Sequence, residues 1–229
     1  MGAVQAESVF FRSLELAGGA GSRRPTGAGS QRARILDAVT RAVVDKGYAR
    51  VTVADVVARA EVSRRTFYEQ FQNKEDCFLA AYEAGAQAVM SDIVAALSAV
   101  SPAEGWRTRT RLALEAFTDS LAASPEFARV FFVDILGAGH RAVELRQRVY
   151  DLFSERLGLL ALRASQEDAS IGAVPDLVLR ALVGGIGELV QRHILTEGAA
   201  SLGELAPALA QLAIQAIEGA GAVSAAPAS

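Results

Sequence analysis

Residues 61–76 read EVSRRTFYEQFQNKED, and they set two adjacent arginines and a tyrosine beside two phenylalanines with the spacing of core residues. At about 100° per residue, Arg64, Tyr68 and Arg65 fall within an arc of about 100° on a helix. Phe67 and Phe71 fall beyond them, on the side turned toward the preceding segment. Such a helix is anchored along one side and free along the other. Ser63 has the side chain and the position to cap its start.

The preceding segment supplies the anchor. Thr52 stands where an N-cap belongs, and Asp55 three residues later completes a variant of the capping box. Val53, Val56, Val57 and Ala60 form the buried side of that short helix, and EVS is the turn between the two. This is the layout of a helix-turn-helix, whose second helix enters the major groove of DNA. Arginine reads guanine O6 and N7 bidentately, the Ser63 end offers backbone N–H groups to a phosphate, and Lys74 can hold another. Each part also has a plainer reading: Arg64 and Arg65 as solvated charges, Tyr68 as a half-buried core residue.

Farther out, nearly everything reads as helix. Ile35, Leu36, Val39 and Val43 make one apolar stripe, and Gly47 is placed to stop that helix. The third helix runs to about Phe71, and Asn73 opens a long helix with Glu75 and Asp76 in its first turn. Further amphipathic stretches follow to about residue 220, and no alternating strand pattern occurs. The expected fold is all-α, with about nine helices. Its divisions are a flexible arm over residues 1–30, a helix-turn-helix domain over 31–78, a helical body over 79–220 and a disordered tail over 221–229. The arm has room for a short helix around Phe10.

The chain has 229 residues, 51% of them hydrophobic and 21% charged, an ordinary globular composition. One cysteine excludes an intramolecular disulfide, and two histidines beside it argue against a zinc cluster. No metal or other cofactor is expected. No apolar run reaches the roughly 18 residues of a membrane span, and the N-terminal stretch does not resemble a signal peptide, so a cytoplasmic protein with no membrane partner is expected. The formal net charge is −3, but its distribution is uneven. Residues 22–52 hold seven Lys or Arg against two acids, and residues 81–229 hold eleven arginines against seventeen acids. A basic head on an acidic body suits a polyanion at one end, although chance clustering on a solvated surface gives the same count.

Residues 34–83 resemble the DNA-binding head of the TetR family of bacterial transcriptional regulators. The resemblance rests on Gly47-Tyr48 after the first helix, Thr52 opening the second, and Ala60-x-Val62-Ser63 in the turn. Thr66-Phe67-Tyr68-x-x-Phe71 and Asn73-Lys74-Glu75 complete it. One departure is Glu61, where the family usually has glycine, and a non-glycine residue in a left-handed turn costs roughly 1 kcal/mol. The resemblance implies that Arg64, Arg65, Thr66, Tyr68 and Gln70 face double-stranded operator DNA. It gives Thr52 and Lys74 as phosphate contacts, with Tyr68 serving a phosphate too, beside the Ser63 helix start already noted. The arm with Arg23 and Arg24 reads as idle, a minor-groove or phosphate contact being the alternative.

The same resemblance implies a homodimer, a body that encloses a small-molecule inducer, and a regulator of the repressor type released from a pseudo-palindromic operator by a mostly apolar ligand. Residues 177–194 are apolar on more than one face, which one subunit struggles to cover. With residues 205–217 they give a candidate dimer interface of Leu182, Gly185, Ile186, Leu189, Leu209 and Leu212. An internal core helix is the alternative. The bulky aromatics between give a candidate ligand pocket of Trp106, Phe117, Phe131, Phe132, His140, Tyr150 and Phe153, although aromatics at such spacings are usually core. An enzyme is the rival class, but no G-x-S-x-G, phosphate-binding loop or paired metal ligands occur, so no catalytic residue is assigned. An all-α adaptor that binds only protein is a second rival.

Overall fold

The structure, a computed structural model, describes residues 28–224. The expected arm and its short helix lie outside these residues, except for positions 28–30, which begin the first helix. Of the expected tail only positions 221–224 are described, as the end of the last helix. Among the described residues there are nine α-helices and no strand. They are α1 (Ala28–Lys46), α2 (Val53–Ala60), α3 (Arg64–Tyr68), α4 (Lys74–Ser98), α5 (Trp106–Ala122), α6 (Pro125–Phe132), α7 (His140–Glu167), α8 (Asp176–Thr196) and α9 (Ala206–Ser224). Tighter 3-10 turns occupy Tyr48–Arg50, Asp134–Gly137 and Ala199–Leu205.

The chain forms two compact units, one of residues 28–91 with Arg129–Val143, the other of Asp92–Ala128 with the residues from Glu144 onward. In the first unit α1 packs on α2, and α2 on α3. Ile35, Val39 and Val43 of α1 are buried with Val56 and Ala60 of α2, Phe67 of α3, and Phe71. Cutting a core phenylalanine such as Phe67 to alanine typically costs about 3–5 kcal/mol. Gly47 ends α1 at φ 75°, with its N–H donating to the Val43 carbonyl at 2.7 Å. Helix α3 closes at Tyr68, three residues short of the expected Phe71. The N–H groups of Gln70 and Phe71 both turn back to the Phe67 carbonyl, at 3.0 and 2.9 Å, so Phe71 is buried from a turn.

Asn73 opens α4 as expected, its side-chain oxygen accepting the Asp76 N–H at 2.9 Å. Tyr82 of α4 stacks flat on Phe131 with ring centroids 4.5 Å apart, and Glu75 pairs with Arg141 at 2.9 Å. The turn Asp134–Gly137 meets the turn Tyr48–Arg50.

In the second unit α9 lies against α5 and α8, and the turn Ala199–Leu205 touches α5 and α8. The start of α5 is closed from a distance. The Trp106 N–H donates to the Glu167 carboxylate at 2.8 Å, which satisfies one of the N–H groups that a helix start leaves open. Arg163 holds the same carboxylate at 2.6 Å and donates to the Pro102 carbonyl at 2.5 Å. That hydrogen bond from Trp106, followed by Arg163, holds the Glu167 carboxyl below its ordinary range.

One segment bears on the expected absence of a membrane span. The segment Ala199–Ala220, at mean hydropathy 1.2, is long and apolar enough by length and composition to cross a membrane. Its alanines raise the average, while Glu204, Gln211, Gln215 and Glu218 interrupt it. It is split between a 3-10 turn and α9, and Leu202, Leu209, Ala213 and Ile217 are buried. A core helix has this composition too, so the segment is weak evidence for a membrane.

Candidate nucleic-acid interface

The candidate interface is built on the caps of two short helices. Thr52 and Asp55 form a reciprocal capping box. The Thr52 hydroxyl oxygen accepts the Asp55 N–H at 3.3 Å, and the Asp55 carboxylate accepts the Thr52 N–H at 2.9 Å. Lys46 Nζ donates to the other Asp55 oxygen at 2.5 Å. That bond first, then those from Thr52, hold the Asp55 carboxyl down to about 2. The start of α2 is thereby tied to the end of α1. Arg59, near the end of α2, pairs with Asp45 of α1.

Glu61 ends α2 in the left-handed conformation at φ 53° and ψ 46°, where a side chain is strained and glycine is not. The turn forms nonetheless, with the Val62 N–H donating to the Val57 carbonyl at 3.1 Å. Ser63 then caps α3, its Oγ accepting the Thr66 N–H at 3.0 Å and lying 2.9 Å from the Thr66 hydroxyl.

These caps orient the side chains of α3. Phe67 is fully buried, with Tyr68 edge-on to it at 5.4 Å and Phe71 at 5.6 Å. Tyr68 itself is 57% exposed, and Arg64 and Arg65 are exposed beside it. Arg65 donates to Glu69 one turn on, at 2.9 Å, an exposed pair of the kind worth only a few tenths of a kcal/mol, ~0.3–0.5. The fork is therefore held loosely and stays available. Thr66 and Gln70 are half-buried at the edges of this face.

Lys74 is more committed. Its ammonium sits 4.4 Å from the centre of the Tyr48 ring and donates to the Tyr48 carbonyl at 2.9 Å. Tyr48 packs on Phe78 with ring centroids 4.9 Å apart, and burial pushes its phenol pKa up. A lysine has three donors, so this anchorage positions the ammonium without exhausting it. Arg32 of α1, which sequence reasoning did not assign, lies 4.5 Å from the centre of the Phe71 ring. Its signal was its place in the basic first helix, which spacing alone does not connect to Phe71.

The body residues divide between the units. Phe131, Phe132 and His140 belong to the first, with Phe131 edge-on to Phe132 at 4.9 Å and His140 exposed at the start of α7. Trp106, Phe117, Tyr150 and Phe153 belong to the second, where Phe117 meets Phe153 at 6.0 Å. Trp106 is buried at the start of α5. Of the candidate dimer residues, Leu182, Ile186 and Leu209 are buried within their own unit, whereas Gly185, Leu189 and Leu212 are exposed. Cys77 is fully buried and its thiol is pushed up to about 12 by that burial, so it offers no thiolate near neutral pH.

Residues 35–81 match the family model described as bacterial regulatory proteins, tetR family. Over 161 residues the chain is 27% identical to the HTH-type transcriptional activator FasR of Mycolicibacterium smegmatis, an alignment spanning 63% of this chain and 72% of that protein. Among solved structures, the fatty acid degradation regulator FadR from Bacillus halodurans superposes with a TM-score of 0.72 at 17% identity, covering 83% of this chain and 96% of that one. The transcriptional regulator FadR from Bacillus subtilis, in complex with stearoyl-CoA, gives a TM-score of 0.70 at 18% identity, covering 81% of this chain and 98% of the other. Both likenesses are likenesses of fold.

Proposed function

We propose that this chain, which belongs to the tetR family of bacterial regulatory proteins, binds operator DNA as a homodimer and releases it when an acyl ligand occupies its body. The observation that carries the DNA reading is the divided character of α3. Phe67 is wholly buried while Arg64, Arg65 and Tyr68 are exposed on the remaining surface. In this reading Arg64 and Arg65 reach base edges, with Thr66, Tyr68 and Gln70 beside them. Thr52, Ser63 and Lys74 meet the phosphate backbone on either side, which fixes register without reading sequence.

A dimer supplies the second head that a pseudo-palindromic site needs, one helical turn of about 34–36 Å or a multiple of it away. Exposed Leu177, Leu189 and Leu195 on α8, with Leu212 on α9, support that assembly. The ligand class is supported by the stearoyl-CoA bound to the Bacillus subtilis neighbour and by the apolar interior of the second unit. Helices α4, α6 and α7 each have residues in both units, so the chain itself links a ligand-binding body to the head. The ligand must favour the DNA-incompetent arrangement, since equal affinity for both shifts nothing. Such a regulator works in the cytoplasm, where its DNA is.

Repression is the primary reading, because a bound dimer obstructs a promoter. The name of the Mycolicibacterium relative favours activation as the second. Selection of bound genomic fragments, followed by gel shifts at several salt concentrations, tests DNA binding. Native protein should bind one fragment class with a steep salt dependence, and binding to none refutes the reading. A reporter driven by the selected promoter then rises on loss of a repressor and falls on loss of an activator.

A further inference from the structure

Helix α7 carries Arg146 and Tyr150 one turn apart. The Arg146 Nη2 donates to the Tyr150 hydroxyl at 2.8 Å, and the guanidinium carbon lies 4.2 Å from the centre of the Tyr150 ring. The phenol in turn has a made-to-measure seat. Gly187 of α8 is buried, and a β-carbon there would collide with the Tyr150 hydroxyl and come within 3.0 Å of its Cζ. The missing side chain at Gly187 thus makes room for the Tyr150 hydroxyl, and that hydroxyl and ring orient the guanidinium.

One N–H of that guanidinium is left over. The Arg146 Nε is sealed from solvent and has no hydrogen-bond partner. A buried donor without an acceptor is costly, and more so on a charged group. Carboxylates are plentiful in the second unit, and Glu188 lies close enough to act on the Tyr150 hydroxyl. None of them takes the open N–H. A planar, permanently charged fork held in one orientation is suited to a carboxylate or phosphate, which it can grip through two parallel hydrogen bonds.

We propose that Arg146, oriented by Tyr150 against Gly187, is the recognition point for the anionic oxygens at the polar end of an acyl ligand. The inference rests on the acyl-ligand reading above and adds the group that selects the ligand's charged end. Two sources share this chemistry, the carboxylate of a free fatty acid and the phosphates of its coenzyme A conjugate.

The test is calorimetric titration of the full chain with stearate, stearoyl-CoA and uncharged octadecanol. Native protein should bind at least one anionic probe roughly tenfold or more tighter than octadecanol, as expected for a charge-assisted pair. Arg146→Met should abolish that advantage and leave octadecanol affinity within about twofold, and Arg146→Lys should recover part of it. Tyr150→Phe, which frees the guanidinium while keeping the ring, should weaken the anionic probe severalfold. It carries the test if Arg146→Met does not fold. Loss confined to stearate identifies a carboxylate ligand, and loss confined to stearoyl-CoA identifies the conjugate. If the variants lose no more affinity for the anionic probes than for octadecanol, the assignment of Arg146 is overturned while the acyl-ligand reading stands. If the native chain binds none of the three probes, both are overturned.

Discussion

Replacing Glu61 by glycine should make the protein more stable, by an amount that follows from its backbone. Glu61 has the only positive φ of any non-glycine among the described residues, at 53° with ψ 46°. Holding a side chain there costs roughly 1–2 kcal/mol. Glycine removes that strain but enlarges the conformational freedom of the unfolded chain, which returns about 0.4–1 kcal/mol. The difference centres on about 0.8 kcal/mol, which for a chain of this size raises the thermal midpoint by about 2–3 °C. The assay is far-UV circular dichroism of native, Glu61→Gly and Glu61→Ala proteins at one concentration. Alanine keeps the β-carbon and hence the strain, and the Glu61 side chain is exposed, so Glu61→Ala should stay within about 0.5 kcal/mol of native. A gain in Glu61→Ala equal to that in Glu61→Gly would show that charge, not backbone, was responsible. A lower midpoint for Glu61→Gly would refute the strain argument outright.

Arg65→Ala should weaken operator binding by about 1–3 kcal/mol and relax preference at one base pair per half-site. Lys74→Ala should weaken all sequences alike and flatten the salt slope, and gel shifts against matched and scrambled operators separate the two. Asp55 is held down to about 2 in the folded chain, so its stabilisation is complete above the ordinary carboxyl value near 4 and is lost as pH falls toward 2. Thermal midpoints of native and Asp55→Asn proteins should therefore converge on acidification, and a gap that stays constant below pH 3 would contradict this. A β-carbon added at Gly185 meets nothing within 4 Å, and the position is exposed, so Gly185→Leu should fold normally yet sediment as a monomer at micromolar concentration. An unaltered dimer would place the interface elsewhere.

The head was legible in the sequence because its determinants are local. Thr52 with Asp55, Ser63 with Thr66, and Asn73 with Asp76 each act across three residues, and Gly47 stops α1 within one turn. The end of α3 was misplaced for a definable reason. Phe71 has the period of a helical core residue, but burial can be supplied from a turn, and only the doubled use of the Phe67 carbonyl reveals that. In the body, aromatic spacing reports that a ring is buried and not what it packs on. Phe131 finds Tyr82 in the first unit while Phe117 finds Phe153 in the second, and no sequence period distinguishes them. Arg146 looked like one more charge on a long charged helix. Its position four residues before Tyr150, beside buried Leu145 and Val149, was the signal available.

Helix α8 shows why an apolar pattern on more than one face was informative but incomplete. Leu182, Ile186 and Val190 are buried in the chain's own core, while Leu177, Leu189 and Leu195 remain in solvent, so the excess of apolar residues belongs to two different surfaces. Its glycines divide in the same way. Gly187 is filled by the Tyr150 phenol, and Gly185, two residues earlier, faces open space. With no side chain at Gly187, a displacement of Tyr150 toward α8 meets backbone directly, and a helix backbone transmits a push as a shift of the whole element rather than absorbing it in a rotamer. The opposite face of α8 moves by the same amount. Were a group that engages Arg146 to displace Tyr150, the push would reach the exposed face through α8, and packed interfaces respond to small shifts by switching between arrangements rather than by deforming.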